Sequence, residues 1–231
     1  MADILKIVLA EASLELVPPE IWGHPAVRKN AIRRGKKPGE TLLDVSLHYS
    51  AMRTLSQPHK RGRPDIVHVT LLELLSSPLN LEGRLRVFIH TINNVVIFVN
   101  PSIRIPKNYN RFVGLMEQLL IEGRVPPKGE PLLYARTMTL RRLVELVSPR
   151  CTILLDESGE PASPASIVEE ALSRDCSIII GGFPHGGFAE DTYSLASATY
   201  SIYSRALEAW VVASRIACAA ENYMGLLEKG G

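Results

Sequence analysis

Residues 151–182 read CTILLDESGEPASPASIVEEALSRDCSIIIGG, and the alternation inside that stretch decides the fold class. CTILLD (151–156) is a short apolar run of the kind that forms a buried strand. PASIVEEAL (164–172) follows a Ser/Pro start and has helical spacing. CSIIIGG (176–182) is apolar until it runs into glycines. Strand, helix and strand in so few residues imply an α/β layer with a largely parallel sheet.

The same grammar extends both ways from this unit. TLRRLVELV (139–147) is helical, and the chain ends in one long helix from about Arg205 to Leu227. Near the start, ILKIVLA (4–10) reads as a buried strand. SLHYSAMRTL (46–55) and DIVHVTLLELL (65–75) read as helices with apolar faces. LRVFIHT (85–91) and VVIFVN (95–100) flank Ile92, Asn93 and Asn94, which suit a tight hairpin turn. YNRFVGLMEQLLI (109–121) is an amphipathic helix ending near Gly123, and the Pro/Gly-rich RVPPKGEP (124–131) is the expected internal boundary.

Composition bounds the function without naming it. Hydrophobic residues make up 46% and charged residues 22% of 231, ordinary for a globular protein with a substantial core. A net charge of +2 means that any nucleic-acid reading must rest on where the charge lies. MADILKIVLAEASLEL has an apolar run too short and too charged for a signal peptide. ALEAWVVASRIACAA (206–220) carries Glu208 and Arg215, which makes it a core or interface helix and no membrane span. Cys151, Cys176 and Cys218 form no C-x-x-C pair, and their odd number argues against a disulfide framework. They are expected to be small buried hydrophobes in a reducing cytoplasm. His24, His48, His59, His68, His90 and His185 lack ligand spacing, so no metal is expected.

Three features could carry chemistry. IIIGGFPHGGF (178–188) ends a strand in glycines, where backbone approaches a ligand closely, yet it lacks the Lys-Ser/Thr of a phosphate loop. RKNAIRRGKK (28–37), HKRGR (59–63) and RIPKNYNR (104–111) are three basic runs, with Tyr109 and Phe112 as candidate stacking faces, Phe112 suiting the core equally. A single such run is most often a solvated surface; three in one half of the chain suit phosphate contacts. Lastly, Asp65 stands behind Lys60, Arg61, Arg63 and Pro64. A carboxylate in a helix's first turn is explained by free N–H groups and the helix dipole, but the closeness of the arginine is not.

GRPDIVHVTLLELLSSPLN (62–80), VFIHTINNVVIFVNPSIRIPKNYNRFVGLMEQLL (87–120) and IIIGGFPHG (178–186) resemble the ribosomal small-subunit rRNA pseudouridine N1-methyltransferases, of the SPOUT class. The likeness covers essentially the whole chain, and its compact spacing is closer to archaeal members. It implies one SPOUT-class α/β-knot domain over residues 1–231, with a C-terminal trefoil knot and a β-hairpin insertion. RNA-binding features would lie about 28–37 and 84–111, and the knotted cofactor part about 150–231. It further implies a cytoplasmic homodimer, with small-subunit rRNA as substrate, pre-ribosomal proteins as candidate partners, S-adenosylmethionine as cofactor, and neither metal nor membrane.

By position, the resemblance assigns the cofactor to Glu157, Gly181, Gly186 and the run Ile202, Tyr203, Ser204, Arg205, Ala206 and Leu207. Eukaryotic relatives carry roughly Ser-Asn-Tyr-Pro-Leu where this chain has Tyr203 to Leu207. The RNA positions fall on Arg63, Arg104, Lys107 and Arg111, with Lys107 lacking the planar fork of an arginine. Asp65 falls on the family aspartate. Pseudouridine, bonded to its sugar through C5, keeps a proton on N1 that uridine lacks, so N1 is the methylated atom in a flipped-out base. Asp65 either steadies an RNA-gripping arginine or accepts the N1 proton; the first is favoured, because neighbouring cations keep it ionised and a weak base. Two other readings remain: a SPOUT methyltransferase acting on another RNA base, and a ribosome-assembly RNA-binding factor whose structural role outweighs catalysis.

Overall fold

In β1 (Leu5–Ala12) alternate side chains enter two different cores, which sets the layers of the molecule. Leu5, Ile7 and Leu9 join one cluster; Val8 and Ala10 join another on the opposite face. The computed structural model describes residues 4–148 and 150–227. The remaining strands are β2 (Leu85–Thr91), β3 (Val95–Val99), β4 (Arg124–Val125), β5 (Leu133–Thr137), β6 (Thr152–Pro161), β7 (Ser177–Gly181) and β8 (Ala198–Ser201). They form one eight-stranded sheet in the order β4-β5-β3-β2-β1-β7-β6-β8. The β2-β1-β7-β6-β8 portion is parallel, and the β2–β3–β5–β4 edge is antiparallel.

The helices are α1 (Pro25–Arg33), α2 (Val45–Met52), α3 (Pro64–Ser76), α4 (Pro78–Leu81), α5 (Tyr109–Glu122), α6 (Leu140–Val147), α7 (Pro164–Ser173), α8 (Glu190–Tyr193) and α9 (Ala209–Tyr223). Residues from α3, α5, α7 and α9 share the larger core with Leu5, Ile7 and Leu9, and α6 covers the other face through Leu140, Leu143 and Val144. Each fully buried Leu or Ile there contributes roughly 1.5–3 kcal/mol of transfer free energy. A satellite core of Val17, Ile21, Val27, Leu43, Ala51, Met52 and Leu55 holds α1 and α2 together. Local chemistry fixes the helix ends. Asn108, Thr139 and Ser163 accept from backbone N–H groups at the starts of α5, α6 and α7, and Gly123 closes α5 at φ 74°.

Four expectations need correction. RVPPKGEP is no boundary: β4 pairs with β5 at the edge of the shared sheet. The last helix is shorter than its pattern at both ends: residues 202–208 are drawn into a loop, and Gly225 at φ 62° turns the chain after Tyr223. Cys151 and Cys176 are joined as a disulfide, their strands β6 and β7 lying side by side. Cys218 is exposed on α9. No helix among the described residues is long and apolar enough to cross a membrane.

Candidate active site

Three parallel strands end at one place and leave a cleft of about 590 Å³ there, a size that suits a nucleoside-like ligand. Leu155 to Ser158 of β6, Ile180 and Gly181 of β7, and Tyr200 and Ser201 of β8 line it. This is the carboxyl edge of the parallel sheet, where α/β proteins collect ligands. The β6 wall is shaped by a bulge. Both Leu155 and Glu160 pair with Tyr200, so residues 156–159 loop out of the strand toward the cleft. Gly159 permits this, since a Cβ there would lie 2.6 Å from the Tyr200 carbonyl carbon. Asp156 steadies the bulge by accepting from the Ser158 N–H at 2.9 Å and the Tyr193 hydroxyl at 3.0 Å. Burial, with that hydrogen bond, holds the Tyr193 phenol above its ordinary pKa.

Of the sequence-predicted cofactor residues, Glu157, Gly181, Gly186, Ile202, Tyr203, Arg205, Ala206 and Leu207 line this cleft. Ser204 is exposed in the same loop but outside the lining. The fit to S-adenosylmethionine rests on the cleft itself. Two glycine-bearing loops bring backbone to its wall, and Asp156, Glu157 and Glu208 offer carboxylates to hydroxyls or to a cationic sulfonium. Gly186 has φ +90°, and a Cβ on it would meet the His59 ring at 3.3 Å, so this loop lies directly against the HKRGR turn.

That turn leads into α3, with Pro64 and Asp65 in its first helical turn. Arg63 donates to Asp65 through Nε at 2.8 Å and Nη2 at 2.7 Å, a two-pronged ion pair left half-buried. The Asp65 hydrogen bond holds the Arg63 guanidinium above its ordinary pKa, with Glu208 and Asp44 adding to the negative field. Asp65 thus occupies the start of α3 and pairs with the arginine two residues before it. Arg104, Lys107 and Arg111 are exposed and form no ion pair among the described residues. Their segment is docked on α3, where the His68 ring meets the Pro106 carbonyl at 2.7 Å and stacks on Phe112.

The stacking faces are lost on folding. Phe112 is fully buried, and Tyr109 is half-buried with its hydroxyl on Asp44 at 2.7 Å; that burial raises its pKa well above the ordinary value. The basic runs also divide. Lys60 and Arg61 are buried against Glu11 and Glu15, and Arg34 and Lys36 are tied to the fully buried Glu117. These four cations are structural, leaving Arg28, Lys29, Arg33 and Lys37 on the exposed surface. Their carboxylate partners were overlooked in the sequence, although Glu11 and Glu15 stand out as charges in the apolar run LKIVLAEASLEL.

A largely parallel sheet with a nucleoside-sized cleft at its carboxyl edge, flanked by cations, has the form of an α/β enzyme domain. The family model for the EMG1/NEP1 methyltransferases matches residues 7–221, and the chain belongs to that family. The chain has the α/β fold expected of it, an eight-stranded sheet with helices on both faces. It is 54% identical over 228 residues to the ribosomal RNA small subunit methyltransferase Nep1 of Staphylothermus marinus, spanning 98% of this chain and 99% of the relative. Against the Saccharolobus solfataricus protein of the same name identity is 49% over 222 residues, 96% and 98% of the two chains. The crystal structure of Archaeoglobus fulgidus Nep1 bound to S-adenosylhomocysteine superposes with TM-score 0.86 at 41% identity, covering 96% of this chain and 99% of that one.

Proposed function

We propose that the protein transfers a methyl group from S-adenosylmethionine to N1 of a pseudouridine in small-subunit ribosomal RNA. The observation that carries this is the contact of two parts: the glycine loop at Gly186 rests on the turn that delivers Arg63. Cofactor and RNA sites therefore share a wall. The family's named methyltransferases and the S-adenosylhomocysteine complex of a relative support the same reading.

S-adenosylmethionine would supply an already activated methyl group and leave as S-adenosylhomocysteine, with the N1 proton passing to water, so the protein's contribution is largely positioning. The backbone around Gly181 and Gly186, with Ile202 to Leu207, would hold it, and Glu157 would accept from its polar edge. Arg63, aimed by Asp65, grips the RNA beside the cleft. Arg104, Lys107 and Arg111 neutralise flanking phosphates while the target base is turned out of its stack. Asp65 already accepts two hydrogen bonds from Arg63, which favours the orienting role over proton acceptance.

We also propose that the chain after β8 is knotted through the preceding loops, and that it works in the cytoplasm as a homodimer beside pre-ribosomal proteins. An apolar groove by Ala165, Cys218, Ala219 and Tyr223 supports a second copy docking on α7 and α9.

The decisive test is methyl transfer to two stem-loops identical but for uridine or pseudouridine at one position. Labelling of the pseudouridine strand alone is expected. Equal labelling of both would refute the N1 assignment, and labelling of neither would favour a structural RNA-binding role.

A further inference from the structure

One buried carboxylate joins the two halves of the site. Glu11 is 7% exposed and lies at the carboxyl end of β1, where pairing with β2 slips between Leu9 and Ala12. Its φ of +52° is unusual for a residue with a side chain, and a bulge of this kind re-aims the side chain it carries. Oε1 accepts from the Ala189 N–H at 2.8 Å and the Thr192 hydroxyl at 2.8 Å. Oε2 accepts from Lys60 Nζ at 2.7 Å. That ammonium also stands 4.5 Å above the Phe183 ring, inside the glycine loop. The Lys60 carbonyl in turn accepts from the Ser13 hydroxyl, two residues beyond Glu11.

We propose that Glu11 is a positioning residue that holds the loop from Gly181 to Thr192 in the shape that receives the cofactor, and locks it to the turn carrying Arg63. The inference rests on the cofactor reading above. A core charge pair placed only for stability would need no second carboxylate oxygen turned onto a loop N–H. Here one oxygen serves the loop and the other serves the turn, so neither shifts without the other. The strained backbone at Glu11 is retained because the surrounding hydrogen bonds require its side chain at that point.

The test compares two double variants of the full chain. Glu11→Gly with Lys60→Met removes both charges and both acceptors, while glycine keeps the positive φ without strain. Glu11→Gln with Lys60→Met removes the charges and keeps an oxygen for Ala189 and Thr192. Binding of S-adenosylhomocysteine is read by calorimetry, well below the unfolding temperature. The glycine variant is expected to lose about tenfold or more in affinity and the glutamine variant to stay within about threefold of the parent. Equal affinity in the two variants, whether retained or lost, overturns the proposal.

Thr192→Val is a milder variant, removing one donor and leaving the ion pair. It should speed hydrogen exchange over residues 182–192 in the ligand-free protein while β1 keeps its protection. Unchanged exchange in that segment overturns the proposal equally. If the parent protein binds no S-adenosylhomocysteine, the cofactor reading falls, and the exchange measurement still decides the role of Glu11.

Discussion

Arg63 and Asp65, two residues apart across Pro64, face each other in a two-pronged ion pair at 2.8 and 2.7 Å. Arg63 precedes α3 with a non-helical backbone (φ −125°, ψ 63°) while Asp65 is already in the helix's first turn, and the two side chains meet on the same side. Asp65 therefore spends both oxygens on one guanidinium. The Nη1 edge of that guanidinium has no hydrogen-bond partner among the described residues, with Glu208 of the cleft rim close enough to act on its charge.

Asp65→Ala frees Arg63 to sample several rotamers and removes the fork without touching the cleft. RNA affinity should fall by about tenfold, the scale of one charge-assisted contact. S-adenosylhomocysteine affinity should stay close to that of the parent. Fluorescence anisotropy with a stem-loop and calorimetry with the nucleoside measure the two separately. A collapse of nucleoside binding would mean that Asp65 supports the fold at the start of α3.

Glu117 makes the second prediction. It is fully buried in α5, accepts from Arg34 and Lys36, and receives the Leu42 N–H at 3.0 Å. Glu117→Ala leaves a buried backbone donor unpaired and releases two partly exposed cations to solvent, at a cost of about 1–3 kcal/mol. Urea unfolding followed by circular dichroism reads that loss. Arg28→Ala in the same basic run, exposed and outside every ion pair among the described residues, should change stability by less than about 0.5 kcal/mol.

These two carboxylates mark how far the sequence was legible. CTILLD, PASIVEEAL and CSIIIGG were readable because strand and helix periods are local, and β6, α7 and β7 follow them closely. The family resemblance placed cofactor positions that, Ser204 apart, all line the cleft, but the rest of its wall was not named in advance. Partners distant in sequence left no such signature. Glu117 meets Arg34 from 83 residues away and Glu11 meets Thr192 from 181, and neither distance is written in any local pattern. Counting lysines and arginines by run therefore mixed structural cations with surface ones. Cys151 and Cys176 were misread for the same reason, since only the β6–β7 register makes them neighbours.

Stability should also depend on pH through two buried histidines. His48 and His90 are both held below the ordinary histidine pKa of 6.5, burial being the first cause in each. His48 Nδ1 accepts from the Asp44 N–H at 3.1 Å, and His90 Nδ1 accepts from the Glu11 N–H at 3.4 Å while Nε2 meets Asn94. A proton on either Nδ1 would oppose an N–H. The unfolded chain takes up protons near pH 6.5 that the folded chain refuses, so stability is full above that pH and falls as pH drops through it. The urea midpoint should be lower at pH 5.5 than at pH 8. His48→Gln and His90→Gln should each flatten the difference, and an unchanged slope in both would remove histidine from the account.

The disulfide gives the last prediction. Cys151 and Cys176 are 4% and 2% exposed and enclose 25 residues of separation, including all of α7. Cross-linking a loop of this length restricts the unfolded chain and contributes roughly 3 kcal/mol, within the usual range of 2–4. Denatured without reductant, the protein should thus show one reactive thiol, Cys218, and two more only once reductant is added. Burial delays the reductant, so the loss of stability should follow opening of the strands and not mixing. Urea unfolding with and without prior reduction reads its size, and Cys151→Ala with Cys176→Ala should reproduce the reduced midpoint. Three thiols in the denatured protein without reductant would show that the bridge is absent in solution, and the two cysteines would revert to small buried hydrophobes side by side just ahead of β6 and β7.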